Sequence, residues 1–342
     1  MFCSSIKPPS YLLAGKLTLV TTVLIFALFH CSVVKAQDET DEKDVLSKSE
    51  RLQKVAQKLT ATQYQLKYKF KPGEVIYWQT EQVDSGEVSL RKKKEVTRSR
   101  TLSTKKWRVA EVDAQGHFTV VQTIVDMDLW QQINDAPAIS YNSRIDSKPH
   151  LKFENVADTV GIELVNFKFD SRGHLLFKKA NYSDVDLGVG GIIVEFPAEA
   201  IALNAKWYQP NVLKVALPNG KIKQIKIRRV FQLQSVEHDI ASIGIKTQLL
   251  TPIHDPEVEV QIMHQVTEGT LRFDIKLGRV VSREFHWNRK VQGFSTADSL
   301  KRYVGRFKET LKTSAQVKLA FEATVRDSLN IRSINAEPIF RR

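Results

Sequence analysis

The residues in this sequence that could carry out chemistry are paired carboxylates and one acidic loop. Asp126 and Asp128 lie two positions apart, as do Asp184 and Asp186, so each pair would share one face of a strand. Paired carboxylates support glycoside hydrolysis, although such pairs are also common on solvated strand faces. The acidic loop "PIHDPEVE" (252–259) could bind a cation, but its two prolines mark it as a loop and no second ligand cluster accompanies it.

No motif supplies the rest of a catalytic set. The sequence contains no G-x-S-x-G and no H-E-x-x-H, and its glycine-rich stretch "DVDLGVGG" (184–191) fits neither the dinucleotide-binding nor the P-loop spacing. We therefore predict no catalytic residue, no metal ligand and no cofactor, and interpret the protein as non-enzymatic. A hydrolase with an unrecognised carboxylate site remains one alternative.

Charge and aromatic residues point to binding instead. The chain has a net charge of +13, much of it in "RKKKEVTRSR" (91–100) and "KIKQIKIRR" (221–229). Such an excess favours anionic partners, whereas the lack of aromatic residues within these runs argues against single-stranded nucleic acid. Among the five tryptophans, Trp130 is the best candidate for a ligand contact, since it ends a strand beside a long loop. The predicted anion contacts are Arg91, Lys92, Lys93, Lys94, Lys221, Lys223, Lys226 and Arg228.

The first 36 residues read as a secretory signal peptide, with cleavage between Ala36 and Gln37. The apolar run 17–29 is shorter than the ~20 residues that a membrane helix requires, so we predict no transmembrane segment in the mature chain; an uncleaved N-terminal anchor is the alternative. Both cysteines, Cys3 and Cys31, lie in this leader. A mature chain without disulfides suggests a bacterial envelope, periplasmic or extracellular.

In the rest of the chain, hydrophobic periodicity predicts the secondary structure. Residues 37–61 form a polar segment followed by a helix. Period-two alternation then predicts strands, beginning with a hairpin in "YQLKYKFKPGEVIYW" (64–78) that turns at Pro72-Gly73. A short helix is expected near Glu154 to Val160, within an irregular stretch.

Two segments align as divergent copies, 62–187 and 198–292, joined by a linker at 188–197. Each copy ends in an aromatic residue, an aspartate and a turn with glycine, as in Phe169-Asp170…Gly173 and Phe273-Asp274…Gly278. We expect the aspartate to accept backbone N–H groups and the glycine to adopt positive φ.

The sequence closes with "STADSLKRYVGRFKETLKTS" (295–314). Leu300, Tyr303, Val304, Phe307 and Leu311 follow the i, i+3, i+4, i+7 spacing, which predicts an amphipathic helix within 293–316. Residues 317–342 form a tail without a clear pattern.

Several stretches, "YKFKPGEVIYWQTE", "STKKWRVAEVDAQGHFTVV", "YNSR" and "GTLRFDIKLGRVVSREFHW", resemble a group of uncharacterised secreted proteins of planctomycete-type bacteria. The resemblance covers most of residues 62–312, and the group has no assigned activity to carry over. The pattern of meandering strands is also similar to the half-barrel carriers of lipoproteins and lipids in bacterial envelopes. That resemblance implies a curved antiparallel sheet enclosing an apolar cavity.

We therefore predict a mainly β (α+β) protein. Two tandem antiparallel meanders form a strongly curved sheet or half-barrel, with an N-terminal and a C-terminal amphipathic helix packed on it. The favoured function is an exported binding or structural protein that holds an apolar small molecule between sheet and helices. The alternative is a protein that binds a polyanion, an anionic envelope component or a membrane surface through its basic strands. The sequence does not indicate an oligomeric state.

Overall fold

The computed structural model describes residues 62–180, 193–217 and 220–318. The predicted signal peptide, the predicted helix before residue 62, the pair Asp184 and Asp186, and the tail after residue 318 lie outside these ranges. The described strands are β1 (Gln63–Tyr64), β2 (Val75–Leu90), β3 (Lys93–Val112), β4 (Phe118–Ile133), β5 (Ile139–Asn142), β6 (Glu163–Phe169), β7 (Leu175–Ala180), β8 (Ile201–Ala202), β9 (Lys206–Ala216), β10 (Ile222–Glu237), β11 (Ile240–Leu249), β12 (Glu268–Asp274), β13 (Arg279–Gln292) and β14 (Leu300–Lys312). Helices α1 (Glu154–Ala157) and α2 (Pro256–Ile262) and two 3-10 turns (Leu151–Phe153 and Met263–Gln265) lie within the described residues, and residues 314–318 are also helical.

One antiparallel sheet dominates the molecule. Its strands follow the order β7-β6-β4-β3-β2-β14-β13-β12-β11-β10-β9, with β5 added beside β4, while β1 pairs separately with β8. The prediction of a mainly β, antiparallel protein is confirmed. The sheet contains a first meander (β2 to β7) and a second meander (β9 to β13), with β14 between them. The duplication inferred from the sequence stays a prediction.

The sheet is strongly curved. Five steps along the strand order separate β4 from β12, which would place them about 24 Å apart in a flat sheet. The ring of Tyr68 nevertheless lies 6.0 Å from that of Phe118 on β4 and 5.4 Å from that of Phe273 on β12. One side chain can contact both strands only because the sheet bends around it.

Tyr68 belongs to residues 65–74, which we call the strap because they cross one end of the sheet. The alternation predicted here is present, since Leu66 and Tyr68 are buried, but the predicted hairpin with β2 is wrong. The strap's backbone bonds to turns: the Tyr68 N–H donates to the Ser171 carbonyl (2.7 Å) and the Lys69 N–H to the Gly278 carbonyl (2.9 Å). These partners lie in the β6–β7 and β12–β13 turns, so the strap joins the two meanders.

Those turns are the two aspartate–glycine motifs of the sequence. The Asp170 carboxylate accepts from the backbone N–H groups of Arg172 (2.9 Å) and His174 (2.8 Å). Similarly, Asp274 accepts from the Leu277 N–H (2.7 Å). Gly173 (φ +88°) and Gly278 (φ +65°) adopt the left-handed conformation. The predicted roles of aspartate and glycine are confirmed, and the structure adds that both turns dock on the strap.

The described part of the predicted linker, residues 193–197, is not an exposed connection. Ile193, Val194 and Phe196 are buried in the main hydrophobic cluster. The Tyr68 hydroxyl donates to the Val194 carbonyl (3.2 Å) and accepts from the Val194 N–H (2.9 Å). The linker at 188–197 stays a prediction, and the structure adds that the apolar residues of its described part pack on the concave side of the sheet beside the strap.

Residues 300–312 form strand β14, and the predicted C-terminal helix is wrong. β14 pairs with β2 along its whole length and with β13 from Leu300 to Thr310. A helix here would leave backbone groups unpaired on both neighbouring strands, a cost that outweighs the weak intrinsic propensity of the segment. The concave face of β14 contains Tyr303, Gly305, Phe307, Glu309 and Leu311. Because Gly305 and Glu309 on this face are not apolar, the alternation of apolar and polar residues that is typical of a strand is not evident in the sequence.

Helix α2 lies against the sheet, in the stretch that the sequence predicted to be an acidic loop. The Asp255 side chain caps it by accepting from the Glu257 N–H (2.9 Å), and Pro256 begins its first turn. Its buried residues, Val258 and Ile262, form a second, smaller hydrophobic cluster with residues of β9 and β10. The helix also contacts β13.

Candidate functional site

A cavity of about 350 Å³ lies on the first meander, beside β2, β3 and β4. The 3-10 turn and α1 also contribute to its wall, through Phe153 and Val156. This helix was predicted from the sequence. The lining residues are Thr80, Gln82, Ser99, Arg100, Thr101, Ser103, Lys105, Ile124, Met127, Leu129, Trp130, Gln131, Phe153, Val156 and Phe307.

One wall of the cavity is polar. On β3, alternate residues place Ser99, Thr101 and Ser103 on the same face, because side chains in a strand alternate with a period of two. Their partners on β2 include Gln82 and Thr80. The hydroxyl groups of Thr80 and Ser103 lie 2.5 Å apart and form a hydrogen bond. Three strand residues with hydroxyl groups thus line the β3 side.

The adjoining wall, formed by β4, is apolar, and its residues Leu129 and Met127 are the register partners of Thr101 and Ser103. A register shift between β3 and β4 pairs Lys105 with Ile124 and Thr104 with Asp126, so Val125 is the extra residue of a β-bulge. The bulge changes which residues of β4 face the concave side, from Ile124 before it to Met127 and Leu129 after it. These three side chains are buried and line the cavity together with Phe153 and Val156.

Buried charges lie at one border of the cavity. The Lys105 ammonium, on a side chain only 2% exposed, donates to Glu309 (3.3 Å), and Arg283 Nε donates to the other oxygen of the same carboxylate (2.6 Å). Burial by itself would raise the pKa of Glu309, but the positive charges of Arg283 and Lys105 outweigh burial and hold the pKa below its ordinary value. Glu309 therefore stays ionised as the shared partner of two cations. We call these three residues the buried triad.

A second acidic group, Asp84, lies on the same face of β2 as Thr80 and Gln82 and pairs with Ser99 in the register. Asp84 accepts hydrogen bonds from the Gln82 side chain (2.8 Å) and from the Tyr303 hydroxyl (2.7 Å). Burial raises the pKa of Asp84, and these two bonds offset only part of that rise. Burial and the charge of Asp84 likewise raise the pKa of Tyr303. Gly305 makes the arrangement possible, because a Cβ atom there would lie 2.6 Å from an Asp84 oxygen.

The carboxylates predicted as chemically competent are engaged in ion pairs. Asp126 bonds to Arg144 (2.5 Å), and Asp128 lies 3.6 Å from Arg100, beside a smaller cavity of about 140 Å³. In the 252–259 stretch, Asp255 caps α2. Within the described residues, no group of three or more histidine, cysteine, aspartate or glutamate side chains could hold a metal ion.

Of the predicted ligand contacts, Trp130 lines the larger cavity together with its register partner Arg100. The basic residues of the first stretch, Arg91 to Lys94, are exposed around the β2–β3 turn, and Lys94 pairs with Glu87 (3.0 Å). On β10, Lys223 shares the face of buried Ile225, whereas Lys226 and Arg228 lie on the opposite face. Lys221 precedes β10 and is exposed.

The structure does not bring the two basic stretches together. They lie at the same end of the sheet, opposite the strap, but five strands separate β3 from β10 in the strand order. Arg228 is engaged locally, since its guanidinium bonds to Gln248 (2.8 Å) and stacks over the Tyr208 ring (4.6 Å). No local sequence pattern indicated the buried triad, because Lys105 lies 204 residues before Glu309 in the chain.

No family model matches this sequence, and no curated protein matches it. The resemblance to secreted planctomycete-type proteins therefore stays a prediction. Low similarity exists to lipovitellin, from a study of lipid–protein interactions (12% identity, TM-score 0.41, 72% of this chain and 26% of lipovitellin). The chain thus spans about a quarter of lipovitellin's length.

Two bacterial structures are similar at still lower levels. They are the translocator domain of autotransporter NalP from Neisseria meningitidis (8% identity, TM-score 0.24, 80% of this chain and 97% of that one) and a DUF1329 family protein from Desulfovibrio piger (10% identity, TM-score 0.14, 69% and 84%). None of these scores establishes a shared fold. Among the described helices, none has the length and apolar character needed to cross a membrane.

Proposed function

We propose that this protein binds a small amphiphilic molecule in the cavity beside β2, β3 and β4. The observation that supports the proposal is the division of a cavity of about 350 Å³ into a hydroxyl-lined wall and an apolar wall. Ligand sites of small molecules occupy roughly 300–1,000 Å³ and combine mostly apolar walls with a few convergent polar groups.

The chemistry of the walls narrows the ligand. Ile124, Met127 and Leu129 offer a surface for an alkyl chain or ring system, and Phe153 and Val156 cover it. The hydroxyl groups of β3 offer hydrogen bonds to a polar head. The sequence suggested an apolar ligand between sheet and helices; the polar wall refines this to a molecule with one polar end, such as a fatty acid.

We also propose that the protein is exported and acts by binding and not by catalysis. The support for export is the leader of residues 1–36 and the placement of both cysteines within it. The support for a binding role is that Asp126, Asp128 and Asp255 are engaged in ion pairs or in a helix cap.

The test combines native mass spectrometry of the protein from its own host with titration of a fluorescent fatty acid. Leu129→Trp would fill the apolar side of the cavity and should weaken fatty-acid binding at least tenfold. Leu90→Trp makes the same change at an exposed position at the end of β2 and should leave binding unchanged. Equal binding by wild type and Leu129→Trp, or the absence of both a co-purifying ligand and fatty-acid binding, would refute the proposal.

A second candidate function is binding of a polyanion through the β2–β3 turn. Four consecutive basic residues, Arg91 to Lys94, are exposed there, and exposed charges of one sign attract polyanions in a salt-dependent way. Replacing Lys92 and Lys93 by glutamine should lower the salt concentration at which the protein elutes from a heparin column. The same replacement of the exposed residues Lys206 and Lys276, which lie at the strap end of the sheet, is the control, and equal elution of both variants would contradict this function.

A further inference from the structure

The concave face of the second meander contains a polar layer between two apolar clusters. On β10, Phe231 belongs to the main hydrophobic cluster and Ile227 to the smaller cluster beneath α2. Both side chains are buried, and Arg229, on the same face between them, is exposed. An exposed arginine between two buried neighbours means that solvent reaches the concave face at this level.

Thr247 continues the layer on β11. It pairs directly with Arg229 in the sheet register and lies between Ile245 of the main cluster and Leu249 of the smaller one. The Thr247 side chain is buried at 5% exposure, and its hydroxyl group has no hydrogen-bond partner. Leaving a buried hydroxyl without a partner costs about 1–3 kcal/mol, so a group that bonds to it would stabilise the folded protein.

The electrostatic potential in this layer is positive. Partial desolvation by the surrounding protein and, secondarily, the charge of Arg283 lower the pKa of Arg229, although part of its side chain stays accessible to solvent. Arg283 is held by Glu309 through its Nε atom. The Arg229 side chain makes no hydrogen bond or ion pair with any residue in the described part of the chain.

We propose that Arg229 and Thr247, which are direct partners in the sheet register, form a binding site for an oxyanion, either a carboxylate or a phosphate group. The planar guanidinium of Arg229 can donate two parallel hydrogen bonds to such a group, and the Thr247 hydroxyl supplies a third donor. The charge of Arg283 adds to the attraction without direct contact. This site lies on the second meander, does not share a residue with the cavity of the first, and does not depend on the function proposed for that cavity.

The test measures binding of two probes by isothermal titration at constant ionic strength. Inorganic phosphate represents a free oxyanion, and dodecyl phosphate below its micellar concentration represents a lipid headgroup. Arg229→Gln should weaken binding at least tenfold. Arg272→Gln removes an arginine from the opposite, exposed face of β12 and should leave binding unchanged.

Thr247→Val separates a binding role from a structural one. The substitution removes an unpartnered hydroxyl, so the melting temperature without ligand should stay equal or rise, while binding weakens about threefold or more. It also keeps the proposal testable if Arg229→Gln does not fold.

Binding of both probes supports a site for a free oxyanion, and binding of dodecyl phosphate alone supports a headgroup site. Binding of neither probe overturns the proposal. Equal affinities of Thr247→Val, folded Arg229→Gln and wild type would also overturn it, even if the cavity of the first meander binds a fatty acid.

Discussion

Glu309 is the residue whose replacement should reveal most about the interior of this sheet. Its carboxylate is 1% exposed and bonds to Lys105 and Arg283, which are 2% and 6% exposed. Glu309→Gln keeps the size of the side chain and removes the negative charge that both cations share. Lys105 and Arg283 then remain buried away from water without a negative charge to offset their own charges.

The expected loss of stability follows from this burial. Removing one partner of a buried ion pair costs about 3–5 kcal/mol, because the remaining charge stays desolvated. For a protein of this size, each kcal/mol lowers the melting temperature by about 2–4 °C. Glu309→Gln should therefore lower the melting temperature by roughly 6–20 °C.

The matched control is Glu268→Gln. Glu268 also lies beside two basic side chains, Lys246 (3.6 Å) and His286 (3.2 Å), but all three are more than half exposed. Exposed pairs contribute about 0–1 kcal/mol, so this variant should melt within a few degrees of the wild type. Thermal unfolding followed by circular dichroism measures both variants.

The pH dependence provides a second readout. Because the pKa of Glu309 lies below its ordinary value of 4.5 in the folded protein, its ionised form stabilises the fold above pH 4.5. That contribution is lost as the pH falls through the lower folded-state pKa. The difference in melting temperature between wild type and Glu309→Gln should be largest at pH 6 and should become smaller below pH 4.5. Equal melting of Glu309→Gln and Glu268→Gln at pH 6 would refute the reasoning.

Two further predictions concern the strap and Asp84. Alanine at Gly173 or Gly278 should lower the free energy of unfolding by about 1–2 kcal/mol because of the positive φ. Overpacking should lower it further, by about 1–3 kcal/mol, since the added Cβ would lie 2.5–2.7 Å from strap or core atoms. The control is Gly220→Ala, which is also at positive φ but has open space around the added Cβ, so it should lose only the part of the stability that is due to φ. Urea unfolding measures all three variants, and equal losses of stability at the three sites would contradict the docking of the turns on the strap. Because burial raises the pKa of Asp84 above 3.8, its contribution to stability is greatest below pH 3.8 and is lost as the pH rises through the folded-state pKa. Asp84→Asn should therefore gain stability relative to wild type between pH 3 and pH 7, and a constant difference across that range would disprove the shift.

Much of the sheet could be predicted from local patterns. The alternation in β4 and β11 and the aspartate and glycine of the turns each depend on a few neighbouring residues, so they are visible in the sequence. The cavity was harder to predict from the sequence. Trp130 and the short helix near Glu154 were both predicted, but the hydroxyl wall depends on how β3 pairs with β2 and on the bulge in β4.

The sequence by itself determined that the chain is mainly β, that it turns at Asp170 and Asp274, and that one face of most strands is apolar. Tertiary structure alone decided which strands become neighbours. Residues 300–312 read as a helix when considered alone and are a strand because β2 and β13 both bond to them. Glu309 can be buried in its ionised form because Lys105 and Arg283 converge on it. Local pattern reports the face on which a side chain lies, whereas the partner of a strand or charge depends on residues far away in the chain.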